Sequence, residues 1–110
     1  MADWTVPARV VRVVDGDTVL VDLDLGWRVI LRSSVRLVGI DAPETRTDEG
    51  KAAVAYVAGL LPAGLEVVVV SRRLLGSTDK YGRALAAVRL PDGRDLSTAI
   101  LAAGHAVPSP

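Results

Sequence analysis

Eight charged residues fall at expected strand ends and in loops: Asp15 and Asp17, Arg36, Asp41 and Glu44, then Asp79, Lys80 and Arg83. Carboxylates in such places can ligate a hard cation, and arginines beside them can grip a phosphate through paired N–H donors. The chain has no Cys, which excludes both a disulfide framework and a Cys-ligated zinc or iron–sulfur centre, while sites built from oxygen ligands stay open. Thirteen Lys and Arg against thirteen Asp and Glu give a formal net charge of zero. No global positive field therefore draws this chain to a polyanion, and any such binding must come from local clusters.

The elements that must hold those residues read as mostly β. Val recurs in period-2 or continuous runs through most of the first ninety residues. Val6 to Val14 predicts a strand, Asp15-Gly16 a tight turn favoured by positive φ, and Thr18 to Leu23 the returning strand. Asp24-Leu25-Gly26 marks a second turn, and Trp27 to Gly39 a third strand with a bend or bulge near Ser33-Ser34. Ile40 to Asp48, with Pro43, reads as a loop. Apolar residues at 53, 54, 57, 60 and 61 then give Lys51 to Leu61 a helical period, ended by Pro62 and Gly64. Leu65 to Leu75 and Arg83 to Leu90 are the fourth and fifth strands, separated by a polar loop. Asp95 or Ser97 can cap a short helix reaching Ala103, with Gly104 as its stop.

Five short strands with a helix between the third and fourth is the order of an OB-fold, a β-rich α+β Greek-key barrel that often binds nucleic acid. No repeat or linker divides residues 1–110, so one domain is expected, with its core over about 6–104 and a flexible tail at 107–110. The longest aliphatic runs, such as Val67 to Val70, are far below the 18 or so residues of a membrane span. A soluble protein without membrane partner is expected. Met1-Ala2-Asp3-Trp4 lacks the basic and apolar regions of a signal peptide, which makes the cytoplasm the default location, with secretion if a leader has been trimmed.

Three motifs in order, Asp15-Gly16-Asp17-Thr18, Arg36-Leu37-Val38-Gly39-Ile40-Asp41-Ala42-Pro43-Glu44-Thr45 and Thr78-Asp79-Lys80-Tyr81-Gly82-Arg83, resemble the staphylococcal (micrococcal) nuclease family. The likeness spans roughly residues 8 to 107. It implies that Asp17 and Asp41 ligate Ca²⁺ through carboxylates, with the Ala42 carbonyl as a third protein ligand. It also implies that Glu44 orients or deprotonates the attacking water, that Arg36 and Arg83 grip the scissile phosphate, and that Lys80 and Tyr81 contact the flanking phosphate. Chemistry agrees, because Ca²⁺ takes six to eight hard-oxygen ligands, whereas zinc is disfavoured in a chain with no Cys and one His. The implied activity is hydrolysis of DNA and RNA with little sequence preference, favouring single strands and leaving 3′-phosphate and 5′-hydroxyl ends. No obligate protein partner is evident.

Strict alternation along the third strand places Asp41 on the face opposite Arg36, since they stand an odd number of positions apart. A departure from the ladder at Gly39 is the expected remedy. Asp15 is either a plain turn residue or a support for the metal ligands. Arg36 on its own could be no more than a surface partner of Asp41. Tyr56 is expected in the core, and His105, after a helix-stopping glycine, is structural or incidental. Arg72-Arg73 end a strand or extend a phosphate track, as residues 67–110 carry six basic against three acidic charges. The competing reading is a non-catalytic OB module that binds nucleic acid or protein.

Overall fold

A computed structural model describes residues 4–71 and 78–109. Its strands are β1 (Trp4–Asp15), β2 (Thr18–Asp24), β3 (Ile30–Leu37), β4 (Ile40–Asp41), β5 (Glu66–Ser71), β6 (Ala84–Arg89) and β7 (Val107–Pro108). Helix α1 (Asp48–Leu60) lies between β4 and β5, and α2 (Leu96–Ala102) between β6 and β7. Five strands close a barrel in the order β1-β2-β3-β6-β5, antiparallel at every pairing except the parallel β3–β6 contact. This is the expected OB-type architecture, with its helix between the third and fourth barrel strands.

Alternation supplies the core. Val6, Ala8 and Val10 of β1 face inward with Val19, Val21 and Leu23 of β2, Val35 and Leu37 of β3, Val67 and Val69 of β5, and Ala86 and Val88 of β6. Val57 and Leu61 at the end of α1, with Leu96 and Ile100 of α2, complete the same cluster. Both helices start where sequence chemistry can cap them. The Thr47 hydroxyl accepts from the Gly50 N–H and the Asp95 carboxylate from the Thr98 N–H, each satisfying an orphan donor of the first turn. The Thr47 cap starts α1 at Asp48, three residues before the predicted Lys51. Gly104 stops α2 with φ +79°, as expected. Tyr56 packs against the core, and its ring meets that of His105 with centroids 4.8 Å apart.

Besides the earlier start of α1 and the short strand β4 at Ile40–Asp41, where a loop is expected, the structure departs from the sequence expectation at four places. The third strand begins at Ile30 rather than Trp27, because Trp27 and Arg28 take left-handed φ values of 56° and 64° within the turn. No bulge occurs at Ser33-Ser34: pairing with β2 runs unbroken from Thr18 opposite Arg36 to Asp24 opposite Ile30. The irregularities fall instead on β1, between Val10 and Arg12 and between Val13 and Asp15. That strand is the longest and pairs with both β2 and β5, so it carries much of the barrel's curvature. The tail expected to be flexible pairs in part: Val107–Pro108 forms an antiparallel ladder with Ile40–Asp41, and the Ser109 N–H donates to the Gly39 carbonyl. The chain's exit from the ladder at Gly39 leaves backbone groups that the tail then satisfies. Of the predicted fourth strand, Arg72-Arg73 and the residues to Leu75 lie outside the described residues.

Gly16 is the fourth departure. The Asp15-Gly16 hairpin is present, with Asp15 opposite Thr18, but Gly16 has no positive φ. Its role is spatial. A Cβ there would stand 2.8 Å from the Ala42 Cβ and 2.9 Å from the Ala53 Cβ, so the turn rests directly on the β4 exit and on the buried face of α1. Gly16→Ala is therefore expected to destabilise the fold by about 1–3 kcal/mol through overpacking, read as a lower urea midpoint at unchanged slope. An unchanged midpoint would show that the three elements are not held at this spacing.

Candidate active site

The two carboxylates and the arginine of the first two motifs meet at one end of the β1–β2–β3 sheet. Asp17 lies in the β1–β2 turn, and its carbonyl accepts from the Leu37 N–H at 2.9 Å, which ties the turn to the end of β3. Arg36 stands opposite Thr18 in that ladder. Gly39 at φ +83° reverses the chain, and Asp41 returns to the Arg36 side, as the parity argument requires. The guanidinium is then held from four directions. Its Nη1 donates to the carbonyls of Leu37 at 2.6 Å and Ile40 at 2.9 Å. Its Nη2 donates to Asp41 Oδ1 at 2.5 Å and lies 3.5 Å from Asp17 Oδ2. Asp17 and Arg36 are largely enclosed, with side chains 13% and 17% exposed, whereas Asp41 at 55% faces solvent. An ion pair this enclosed is much less screened than one on the surface. The bland reading of Arg36 as a surface partner of Asp41 is thus half right: the pair exists, but the arginine is not a surface residue.

The donor set fits a hard cation of the calcium type. The Asp17 and Asp41 carboxylates converge on a single nitrogen, so both border the same end of the barrel sheet. The Ala42 N–H donates to Asp17 Oδ2 at 2.9 Å, which holds the peptide beside both. Its carbonyl accepts no hydrogen bond among the described residues. Two carboxylates and a carbonyl leave several positions of a six- to eight-coordinate shell to water and phosphate. No group of three or more His, Asp or Glu side chains gathers among the described residues, so Glu44 is not part of this cluster. His105, stacked on Tyr56, is not near enough to add a nitrogen ligand.

Glu44 sits on the segment leading to α1, with its carboxylate 68% exposed and bonded to Arg46 Nε at 2.6 Å. Its backbone is more constrained: the Glu44 carbonyl accepts from both the N–H and the hydroxyl of Thr47. Beside it, the Thr45 hydroxyl donates to Asp15 Oδ1 at 2.5 Å. Asp15 thus joins the β1–β2 turn to the Glu44 segment and is more than a turn residue.

The third motif forms its own unit. One Asp79 oxygen accepts the N–H groups of Tyr81 and Arg83, each at 2.9 Å, and the other accepts Arg83 Nε at 2.7 Å. The terminal nitrogens of Arg83 make no hydrogen bond among the described residues. Tyr81 is exposed, with Lys80 Nζ and the Arg83 guanidinium carbon 5.1 and 5.3 Å from its ring centroid. A groove of about 520 Å³ brings this loop and the end of β3 together, lined by Arg36, Gly39, Lys80, Tyr81, Arg83 and Ser109. A larger concavity of about 1050 Å³, bounded by Pro7, Ile30, Val68 and Pro91, touches none of these groups. The smaller groove, which alone of the two is lined by residues of the second and third motifs, is the chemically relevant one.

Sequence reasoning did not assign roles to Asp79, Thr45, Arg46, Thr47 or Gly50. Thr47 before an acidic pair is a legible cap signal, whereas the other partnerships join residues whose approach depends on the folded loop.

The staphylococcal nuclease homologue family profile matches residues 34–109. An uncharacterized endonuclease of Escherichia coli O157:H7 is 38% identical over 98 residues, which cover 89% of this chain and 58% of that protein. The protein of the same name from Escherichia coli gives the same figures. Protein ParB of Escherichia coli is 37% identical over 106 residues, covering 89% of this chain and 54% of its own. The chain therefore spans little more than half the length of these curated relatives.

Asp79 gives this loop a pH dependence. Burial pushes its carboxyl up, but the N–H groups of Arg83 and Tyr81 and then the Arg83 guanidinium outweigh that and hold it below its ordinary 3.8. Because the shift is downward, the loop's stabilisation is present above the ordinary value and is lost as pH falls through the lower folded one. In an NMR titration the Tyr81 and Arg83 amide protons are expected to move with a midpoint below 3.8, together with the Asp79 carboxyl carbon. A midpoint at or above 3.8 would show the carboxylate not to be engaged.

Proposed function

Because the chain belongs to the staphylococcal nuclease homologue family, we propose that it is a Ca²⁺-dependent nuclease that hydrolyses phosphodiester bonds of DNA and RNA with low sequence specificity. The observation that carries this reading is the Arg36 guanidinium, enclosed between Asp17 and Asp41 at the mouth of a groove whose other wall bears Arg83, Lys80 and Tyr81. In this reading Asp17, Asp41 and the Ala42 carbonyl hold Ca²⁺, which supplies positive charge to the phosphate when bound.

The chain's own groups do the rest. Arg36 is prepositioned by two backbone carbonyls and therefore costs little reorganisation as charge gathers on the equatorial phosphoryl oxygens. Arg83, fixed through Nε by Asp79, offers its terminal nitrogens to the same phosphate. Glu44 takes a proton from the attacking water. The new P–O bond forms as the bond to the 5′ oxygen breaks, that oxygen takes a proton from solvent water and leaves as a 5′-hydroxyl, and the phosphate stays on the 3′ side. Lys80 and the exposed Tyr81 meet the flanking phosphate. Low specificity follows from the scarcity of base-reading groups: Tyr81 is the exposed aromatic among the groove residues. A flexible single strand enters such an open groove more readily than a stiff duplex.

A non-catalytic nucleic-acid module is the second reading, and the Glu44–Arg46 pair favours it, since it engages the proposed base. At 68% and 84% side-chain exposure that pair is weak and readily exchanged for water or phosphate.

Cleavage of a single-stranded oligonucleotide is expected in Ca²⁺, to be abolished by chelator, and to be much slower in Mg²⁺, whose strict octahedral shell suits this loose donor set poorly. Arg36→Lys and Arg83→Lys are each expected to lower turnover by roughly 10²-fold. Glu44→Gln is expected to do the same while Ca²⁺-dependent affinity for the oligonucleotide is kept or slightly improved. Oligonucleotide binding with no cleavage by the wild type would favour the second reading, and full activity in excess chelator would sink the metal assignment.

A further inference from the structure

The Glu44 carboxylate is solvent-exposed, yet its backbone carbonyl is held by two hydrogen bonds. The Glu44 carbonyl accepts from the Thr47 N–H at 3.0 Å and from the Thr47 hydroxyl at 2.7 Å. That hydroxyl oxygen in turn accepts from the Gly50 N–H at 3.0 Å, so one side chain both caps α1 and grips the preceding loop. Gly50 is the third residue of the helix, is buried, and lies directly beneath the same peptide. A Cβ on Gly50 would collide with the carbonyl carbon and oxygen of Glu44 and stand 2.9 Å from the Thr45 Cα. Every obstructing atom is backbone, and the Thr45 side chain is itself bonded to Asp15.

We propose that Thr47 and Gly50 are positioning residues of the hydrolysis, which seat the Glu44 peptide on the first turn of α1 and so set where its carboxylate can meet the attacking water. This rests on the reading of Glu44 as the base. The short loop makes the device possible: between the Asp41 ligand and the helix stand only residues 42–47. A general base needs hydrogen-bond reach to the water it activates, so a flexible side chain on a wandering backbone would be in place too seldom.

The two residues can be separated from ordinary helix roles. At a helical position of no other consequence, Ala is the better helix former, and Gly50→Ala would raise Tm. Here it is expected to lower Tm and to cut kcat by roughly 10- to 100-fold, with KM for a single-stranded oligonucleotide in Ca²⁺ little changed. Thr47→Asp keeps a preferred cap acceptor but has no proton for the Glu44 carbonyl, so Tm is expected to hold while kcat falls. Thr47→Ser keeps both functions and is expected to match the wild type. Glu44→Gln is the reference. If it collapses kcat while Gly50→Ala and Thr47→Asp leave kcat unchanged, the clamp is overturned and the base assignment stands. If Glu44→Gln leaves kcat unchanged, the base assignment fails and the inference fails with it. Loss of kcat in Gly50→Ala matched by an equal rise in KM would indicate a damaged groove and also overturn the clamp.

Discussion

The geometry of the site depends on one guanidinium. Arg36 reaches the carbonyls of Leu37 at the end of its own strand and of Ile40 at the start of β4, one carboxylate from the β1–β2 turn and another from β4. It thereby stitches together three pieces of chain that the barrel alone would leave free to drift. Placing a charge at 17% exposure is costly unless its donors are met, and here both terminal nitrogens are engaged. In the proposed nuclease reading the group that organises the site is also the one that meets the phosphate, so structural support and transition-state chemistry would share one side chain.

Small residues complement that charged centre. Gly16, Ala42 and Ala53 meet where the first hairpin, the β4 exit and α1 converge, and Gly50 admits the Glu44 peptide against the helix. None of their side chains carries chemistry. Each sets a backbone separation that a single methyl group would enlarge, and a close-packed interior transmits that displacement rather than absorbing it. The spacing these contacts set also fixes how far apart the Asp17 and Ala42 segments stand, which in the proposed reading decides whether their oxygens can share one cation.

Balance of charge shapes the approach of substrate. With a formal net charge of zero, the chain does not attract a polyanion from a distance. The groove gathers Arg36, Lys80 and Arg83, and only Asp79 among its lining residues opposes them. Association at such a site is expected to be short-ranged and strongly dependent on salt, since each phosphate contact releases condensed counterions.

The sequence by itself determined the barrel order, the helix between the third and fourth barrel strands, and the Asp95 cap of the second helix, because these rest on period, turn chemistry and short-range hydrogen bonds. It also placed Asp17, Arg36, Asp41 and Arg83 in motifs, and the parity of Arg36 and Asp41 pointed to Gly39 as the hinge. Tertiary structure alone decided what depends on separations between distant segments. The Gly16 turn needs room against Ala42 and Ala53 rather than a positive φ, and this becomes visible only once α1 is docked. The tail at Val107–Pro108 gains order from a two-residue edge that exists only after Gly39 turns the chain. Curvature fell on β1 instead of Ser33-Ser34, since bulges answer to closure of the whole barrel and not to local composition. The Asp15–Thr45 bond likewise joins segments thirty residues apart, a proximity that sequence spacing does not carry, whereas the partners of Glu44 and Asp79 lie within four residues of them.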